Sequence, residues 1–271
     1  MMHRIATIQM ASGCNVSANL REAAQLIHTA AKMGAKLAVL PENFAQMGKH
    51  QADMLDIKEP MGQGEIQTFL SQQAKLHDIW IVGGTVAINS QNENKVYAAC
   101  LLFDNAGQCV ARYDKMHLFD VLVGQQEHYQ ESSTIEAGQN IVVVDTPFGK
   151  LGLAVCYDLR FPELFRSMLA ENVQLIVIPA AFTATTGKAH WEILLRARAI
   201  ENLCYVIAAD QGGYHVNGRE TYGDSMIVDP WGSVVTRLKQ GAGVVCADVD
   251  IQHLTSLHQR FPARQHQRII S

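Results

Sequence analysis

Three residues of the 271-residue chain combine a chemically useful side chain with a place where a strand-like run ends. Cys156 closes Leu151-Gly-Leu-Ala-Val155 and enters a turn that leads to a helix, and Glu42 follows Leu37-Ala-Val-Leu-Pro41. Lys115 ends the strand-like stretch Gln108–Lys115. A strand-to-helix turn lifts a side chain out of its sheet and leaves neighbouring backbone N–H groups unpaired, which suits a nucleophile. A free thiol has a pKa near ~8.5 and is scarcely ionised at neutral pH, so it needs a base, a cation or both. A carboxylate behind an apolar strand is poorly solvated, and burial would raise its pKa toward a general-base range. A lysine at a strand end could meet an oxyanion as it develops. Taken singly, each charge also reads as a solvated strand end and the cysteine as a buried structural thiol. Three strand ends bearing Glu, Lys and Cys are harder to dismiss. The eleven histidines offer no better base: His117 and His190 read as surface or capping residues.

Alternating helix and strand signals position these residues. Ile5–Met10 reads as a buried strand, and Asn19–Lys32 as a helix with Leu20, Ala23, Ile27 and Ala30 on one face and Gly34 as its stop. Lys36–Leu40 is a strand, Gly64–His77 a helix and Ile79–Val86 a strand. Asn105-Ala-Gly107 marks a hairpin between Val96–Asp104 and Gln108–Lys115, and Thr146-Pro-Phe-Gly149 another between Ile141–Asp145 and Lys150–Cys156. A helix over Pro162–Glu171, a strand over Gln174–Ile178 and a helix near His190–Asn202 follow. The remaining strands are Leu203–Ala209, Tyr222–Val228, Ser233–Arg237 and Gly243–Val249. No linker divides the chain, so one α/β domain over residues 1–271 is expected. Lys36-Leu-Ala-Val-Leu-Pro-Glu-Asn-Phe44 also echoes Gln174-Leu-Ile-Val-Ile-Pro-Ala-Ala-Phe182. The echo fits any helix–strand–Pro unit, or two packed sheets whose strand ends meet, with Glu42 in one copy where the other has Ala180.

Composition removes several classes. Lys and Arg total 22 against 26 Asp and Glu, a net charge of −4 without a basic stripe, which argues against nucleic-acid binding. No apolar run approaches the ~18 residues of a membrane span, and the start lacks a long apolar leader, so a soluble cytoplasmic protein is expected. Six scattered cysteines (14, 100, 109, 156, 204 and 246) form no CxxC pair and no zinc-like cluster. They read as reduced thiols, most of them core fillers.

Three blocks carry a resemblance. Pro41-Glu-Asn43, Tyr113-Asp-Lys-Met-His-Leu-Phe119 and Gly152-Leu-Ala-Val-Cys-Tyr-Asp-Leu-Arg-Phe-Pro-Glu163 resemble the signature blocks of the nitrilase (carbon–nitrogen hydrolase) superfamily, in its order and with similar spacing. The likeness extends from Ile5 to about Arg264. It implies an αββα sandwich, usually dimeric, and a hydrolase with no metal or cofactor. Carried over, Glu42 is the general base, Cys156 the nucleophile and Lys115 the oxyanion stabiliser, helped by the backbone N–H of Tyr157. The family's second carboxylate, shortly before a Gly, matches Glu131 ahead of Gly138, with Glu127 and Glu136 as neighbouring competitors. Further blocks, among them Arg160-Phe-Pro-Glu163, Thr183-Ala-Thr-Thr-Gly187 and Ala189-His-Trp-Glu192, are similar to the Nit branch. Within it they resemble deaminated glutathione amidases more than ω-amidases, which act on 2-oxoglutaramate and leave the alternative substrate open. A substrate with two carboxylates implies cations in the pocket: Arg160 first, then Thr186 and His190 as further contacts. Arg160 could instead pair with Asp158 or Glu163, and Trp191 could simply be core. Two departures stand out: Asp114 beside the lysine, expected to point away from it, and the unfamiliar stretch Val121–Gln130.

Overall fold

The computed structural model describes residues 2–123 and 127–269. In chain order the first half comprises β1 (Met2–Gln9), α1 (Val16–Lys32), β2 (Leu37–Val39), α2 (Glu65–His77), β3 (Trp80–Val82), β4 (Val86–Asn89), β5 (Val96–Phe103), β6 (Cys109–Asp114), β7 (Asp120–Val123) and β8 (Glu127–Gln130). The second comprises β9 (Val143–Thr146), β10 (Gly149–Leu153), α3 (Pro162–Ser167), β11 (Leu175–Ala180), α4 (Ala184–Asn202) and β12 (Tyr205–Asp210). It ends with β13 (Gly212–Tyr214), β14 (Glu220–Tyr222), β15 (Ser225–Val228), β16 (Val234–Leu238), β17 (Gly243–Asp250) and α5 (Ile251–Arg260).

Two sheets form the centre. One runs β17-β1-β2-β3-β5-β4, with β6 also paired to β5, and the other runs β16-β15-β12-β11-β10-β9. β1, β2 and β3 are mutually parallel, as are β10, β11 and β12. The period-2 alternation of a strand explains how the first sheet is buried on both faces. On β2 and β5, Leu37, Val39, Cys100 and Leu102 join the core shared with the second sheet, whereas Ala38, Ala99, Leu101 and Phe103 join Leu20, Ala23, Ile27 and Leu70 of α1 and α2. The outer side of the second sheet is closed by Phe165 of α3 and by Trp191, Leu195 and Ala199 of α4. The result is the expected αββα sandwich. Asn15 and Thr183, as N-caps that accept from Ala18 N–H and Thr186 N–H, fix where α1 and α4 begin.

Several boundaries differ from those read in the sequence. The run Ile79–Val86 is two strands, broken at Gly83-Gly84. Tyr222–Val228 is likewise split: Gly223 (φ 72°) and Asp224 (φ 56°) turn the chain where the Asp224 carbonyl accepts from buried Trp191 Nε1. α4 starts at Ala184, so His190 sits in its second turn and not at its start. Pro162–Glu171 is α3 followed by a 3-10 turn. Cysteines other than Cys156 are not uniformly core: Cys100 and Cys204 are buried, but Cys14 and Cys109 are exposed.

Gly84 fixes the turn beyond β3 against the turn beyond β2. Its φ is +54°, and a Cβ there would lie 2.1 Å from the Pro41 carbonyl oxygen. Gly84→Ala is therefore expected to cost about 2–4 kcal/mol, combining a left-handed alanine with overpacking. It should also displace the Pro41-Glu42 turn. Thermal unfolding of the variant checks the first effect, and catalytic rate the second; an unchanged Tm would refute the close approach.

Candidate active site

Glu42 and Cys156 both follow the carboxyl ends of parallel strands, β2 and β10, the place where open α/β sheets present their ligand sites. Cys156 has φ +47°, a left-handed conformation that costs a non-glycine residue about 1–2 kcal/mol. Asp158, fully buried, holds that turn. Its Oδ2 accepts from Val155 N–H at 2.8 Å and Tyr113 O–H at 2.7 Å. Its Oδ1 accepts from His117 N–H at 3.1 Å and lies 2.6 Å from His117 Nδ1. Tyr113 is on β6 and His117 follows it, so one carboxylate ties the cysteine turn to the segment carrying Lys115. Burial, then the Asp158 charge, raise the Tyr113 phenol and keep it a donor.

Lys115 has no exposed surface, and its ammonium lies 2.9 Å from Glu42 Oε1 and 2.7 and 3.0 Å from the two Glu131 oxygens. Burial works against its charge, but Glu131 and Glu42 outweigh it and hold its pKa well above the ordinary value. Glu131 Oε2 also accepts from Phe119 N–H at 2.8 Å, which fixes its orientation. Gly138 explains the glycine after this carboxylate: its N–H donates to the Lys115 carbonyl, and a Cβ would lie 2.0 Å from the Asp114 oxygen. Asp114 faces away and pairs with Arg112 at 2.8 Å. Of the competitors, Glu136 engages the Tyr97 phenol instead, and the Glu127 side chain lies outside the described residues, as do residues 124–126 of the unfamiliar stretch.

Burial pushes the Cys156 thiol well above its usual range; Glu42 adds to this and Lys115 opposes it. The resting sulfur is thus a neutral thiol at neutral pH, beside a carboxylate that can take its proton. The thiolate ultraviolet band at neutral pH should therefore be unchanged in Cys156→Ala; a band lost with that residue would contradict this protonation state. Tyr157 stands ahead of the first hydrogen bond of its 3-10 turn, Asp158 N–H to the Val155 carbonyl, so its own N–H has no partner within the turn. That leaves a donor and an ammonium for an oxyanion formed on an acyl group at the sulfur.

Cys156 opens into a narrow pocket of about 10 Å³, lined by Phe119, Glu131, Tyr157, Phe182, Thr186 and Arg219. Thr186 thus reaches the site, its hydroxyl 2.8 Å from Thr183 Oγ1. Arg160 and His190 are not among the lining residues. The Arg160 guanidinium lies 5.9 and 5.6 Å from the ring centres of Tyr157 and Phe182 and 3.3 Å from His190 Nδ1. It pairs with neither Asp158 nor Glu163 among the described residues. Trp191 is core, with no exposed surface. Among the described residues no group of three or more His, Cys, Asp and Glu side chains could hold a metal ion. Sequence reasoning missed the roles of Tyr113, Asp158 and Arg219. The first two stand within two residues of Lys115 and Cys156, but their contact with each other follows only from the fold, and Arg219 carries no local signal.

The family model described as carbon-nitrogen hydrolase matches residues 4–259. The chain belongs to the carbon–nitrogen hydrolase family. It is 41% identical to the deaminated glutathione amidase of Synechocystis over 96% of both chains. The mouse deaminated glutathione amidase is also 41% identical, over 97% of this chain and 83% of that protein. Among solved structures, the Caenorhabditis elegans NitFhit protein aligns with a TM-score of 0.92 and 36% identity, covering 98% of this chain. The chain spans 65% of the NitFhit length. Saccharomyces cerevisiae Nit3, a member of branch 10 of the nitrilase superfamily, aligns with a TM-score of 0.86 and 30% identity over 96% of this chain and 94% of that one. This carbon–nitrogen hydrolase is thus a Nit-branch enzyme.

Proposed function

We propose that the chain hydrolyses the amide bond of deaminated glutathione, releasing 2-oxoglutarate and cysteinylglycine. The observation that carries this reading is the near-full-length 41% identity to relatives bearing that name, on a site where Glu42, Lys115 and Glu131 converge beside Cys156. Glu42 takes the thiol proton as the sulfur attacks the amide carbon. Lys115 and the Tyr157 N–H receive the negative charge on oxygen, and Glu131 orients Lys115. Glu42 then hands the proton to the departing nitrogen, the C–N bond breaks and a thioester remains. Water gives a proton to Glu42 and attacks the thioester, and the sulfur regains that proton as the acid leaves. One carboxylate acts as base, acid and base again, and no step calls for a metal or cofactor. Thr186 is read as a contact for the keto-acid half, and Arg160, with His190 at 3.3 Å, lies over the Tyr157 and Phe182 rings that line the pocket.

On the same reading, residues 1–271 act as one catalytic domain in the cytoplasm, without a nucleic-acid or membrane partner. No helix among the described residues is long and apolar enough to cross a membrane. The chain pairs as a homodimer: exposed Ile193 and Ile200 lie two turns apart on α4, and the Trp231-Gly232 turn packs beside Ile200.

The test is 2-oxoglutarate release from deaminated glutathione and, separately, from 2-oxoglutaramate. Higher kcat/KM on the former is expected. Preference for the latter would make the chain an ω-amidase with the same mechanism, and turnover of neither would refute the substrate assignment.

A further inference from the structure

Arg219 borders two cavities that meet at the reacting centre. One is the narrow pocket of Cys156, Tyr157, Phe182 and Thr186. The other is a wide cleft of about 510 Å³, lined by Glu42, Asn43, Lys49, Met54, Tyr129 and Asn217 among others. Among the described residues only Glu131 and Arg219 line both. An amide bound with its carbonyl carbon at the sulfur must send its acyl half and its amine half in different directions. The pocket leaves room for little more than the reacting group, whereas the cleft has room for a dipeptide.

The charges in the cleft are unequal. Its two carboxylates, Glu42 and Glu131, are both engaged by Lys115. Arg219 and Lys49 have no ion-pair partner among the described residues. The Arg219 guanidinium lies 5.2 Å from the centre of the Tyr129 ring and donates to the Ala181 carbonyl through Nη2. Its Nε is buried with no hydrogen-bond partner among the described residues. The nearby buried Asp210 carboxylate feels the Arg219 charge but forms no ion pair with it among the described residues, and an arginine with an unused buried donor beside a cleft is suited to an incoming carboxylate.

The backbone holds Arg219 in place before substrate arrives. It sits at the turn between β13 and β14, where His215 N–H donates to the Arg219 carbonyl at 2.9 Å and Arg219 N–H to Asn217 Oδ1 at 2.9 Å. The His215 ring bridges the Ser12 carbonyl and Thr221 Oγ1 at 2.9 and 2.7 Å, and Asn217 Nδ2 donates to the Gly48 carbonyl at 3.0 Å. The turn is thus pinned to two other loops, so little ordering remains on binding.

We propose that the wide cleft binds the amine half of the substrate and that Arg219 receives its terminal carboxylate. This rests on the reading of the substrate as a dipeptide amide. It assigns a residue that separates such substrates from small ω-amides, which release only ammonia and gain nothing from the cleft.

The test is a cycle of kcat/KM values for wild type and Arg219→Gln, each with deaminated glutathione and with its analogue amidated at the glycine carboxylate. Amidation should cost the wild type about tenfold or more, the range of a charge-assisted pair, and should cost the variant about threefold or less. A variant that has merely lost structure would be slower on both substrates yet keep the wild-type ratio, which would overturn the assignment. So would a wild type indifferent to amidation, a result that needs no variant. If the wild type turns over 2-oxoglutaramate but neither dipeptide amide, the substrate reading fails first, and this inference with it.

Discussion

Cys156→Ala should abolish amide turnover, lowering kcat by about 10⁴-fold or more while the protein stays folded. The sulfur is the one thiol among the described residues of the narrow pocket, and Glu42 and Lys115 are arranged around it. Without it, the Tyr157 N–H and the Lys115 ammonium can still polarise a bound carbonyl, but no covalent intermediate can form. The loss of fold stability should be small, about 1 kcal/mol or less, because the thiol is small and the turn is held by Asp158 rather than by the cysteine side chain. Thermal unfolding alongside the assay separates the two quantities. A variant retaining a tenth of wild-type kcat would contradict covalent catalysis at this position.

Asp158→Ala has the largest expected effect on stability. The wild-type carboxylate is buried, accepts from Val155 N–H, Tyr113 O–H and His117 N–H, and faces His117 Nδ1. Removing it leaves buried donors without an acceptor and releases a left-handed residue, and should cost about 3–5 kcal/mol. Cys156 and Lys115 would lose their shared tie, so kcat should fall by about 10²-fold even under conditions where the protein remains folded. Asp158→Asn keeps one acceptor but turns an amide N–H toward a donor, so it should fall between wild type and alanine on both measures. Chemical denaturation of the three proteins, with kcat measured below the transition, checks both parts. Equal stability in all three would mean that the network is not what holds the turn.

Glu42, Lys115 and Cys156 were legible because each follows a strand, apolar for Glu42 and Cys156, and a sandwich of two sheets brings such ends together. The echo between Lys36–Phe44 and Gln174–Phe182 pointed the same way: β2 and β11 lie in different sheets, and Phe182 lines the pocket of Cys156. Glu131 came through family likeness, since nothing local distinguishes it from Glu136. Asp158 was read as a possible partner for Arg160, because spacing within a short block says nothing of which side chain turns inward. β13 and β14 escaped notice because Gly212-Gly-Tyr214 has no apolar alternation, and its pairing with Glu220–Tyr222 depends on the docked turn between them. Arg219 was hidden with them. α5 is a different kind of omission: Asp250 caps it, and Leu254 and Leu257 at three-residue spacing bury its inner face, so its signal was present in the sequence.

The most direct test of covalent amide hydrolysis at Cys156 is mass analysis of wild type quenched in acid during its first turnover of deaminated glutathione. A 2-oxoglutaryl group on the peptide that contains Cys156, appearing as cysteinylglycine is released and absent from Cys156→Ala, is the predicted result. Full turnover by Cys156→Ala, with no adduct on that peptide in wild type, would contradict it.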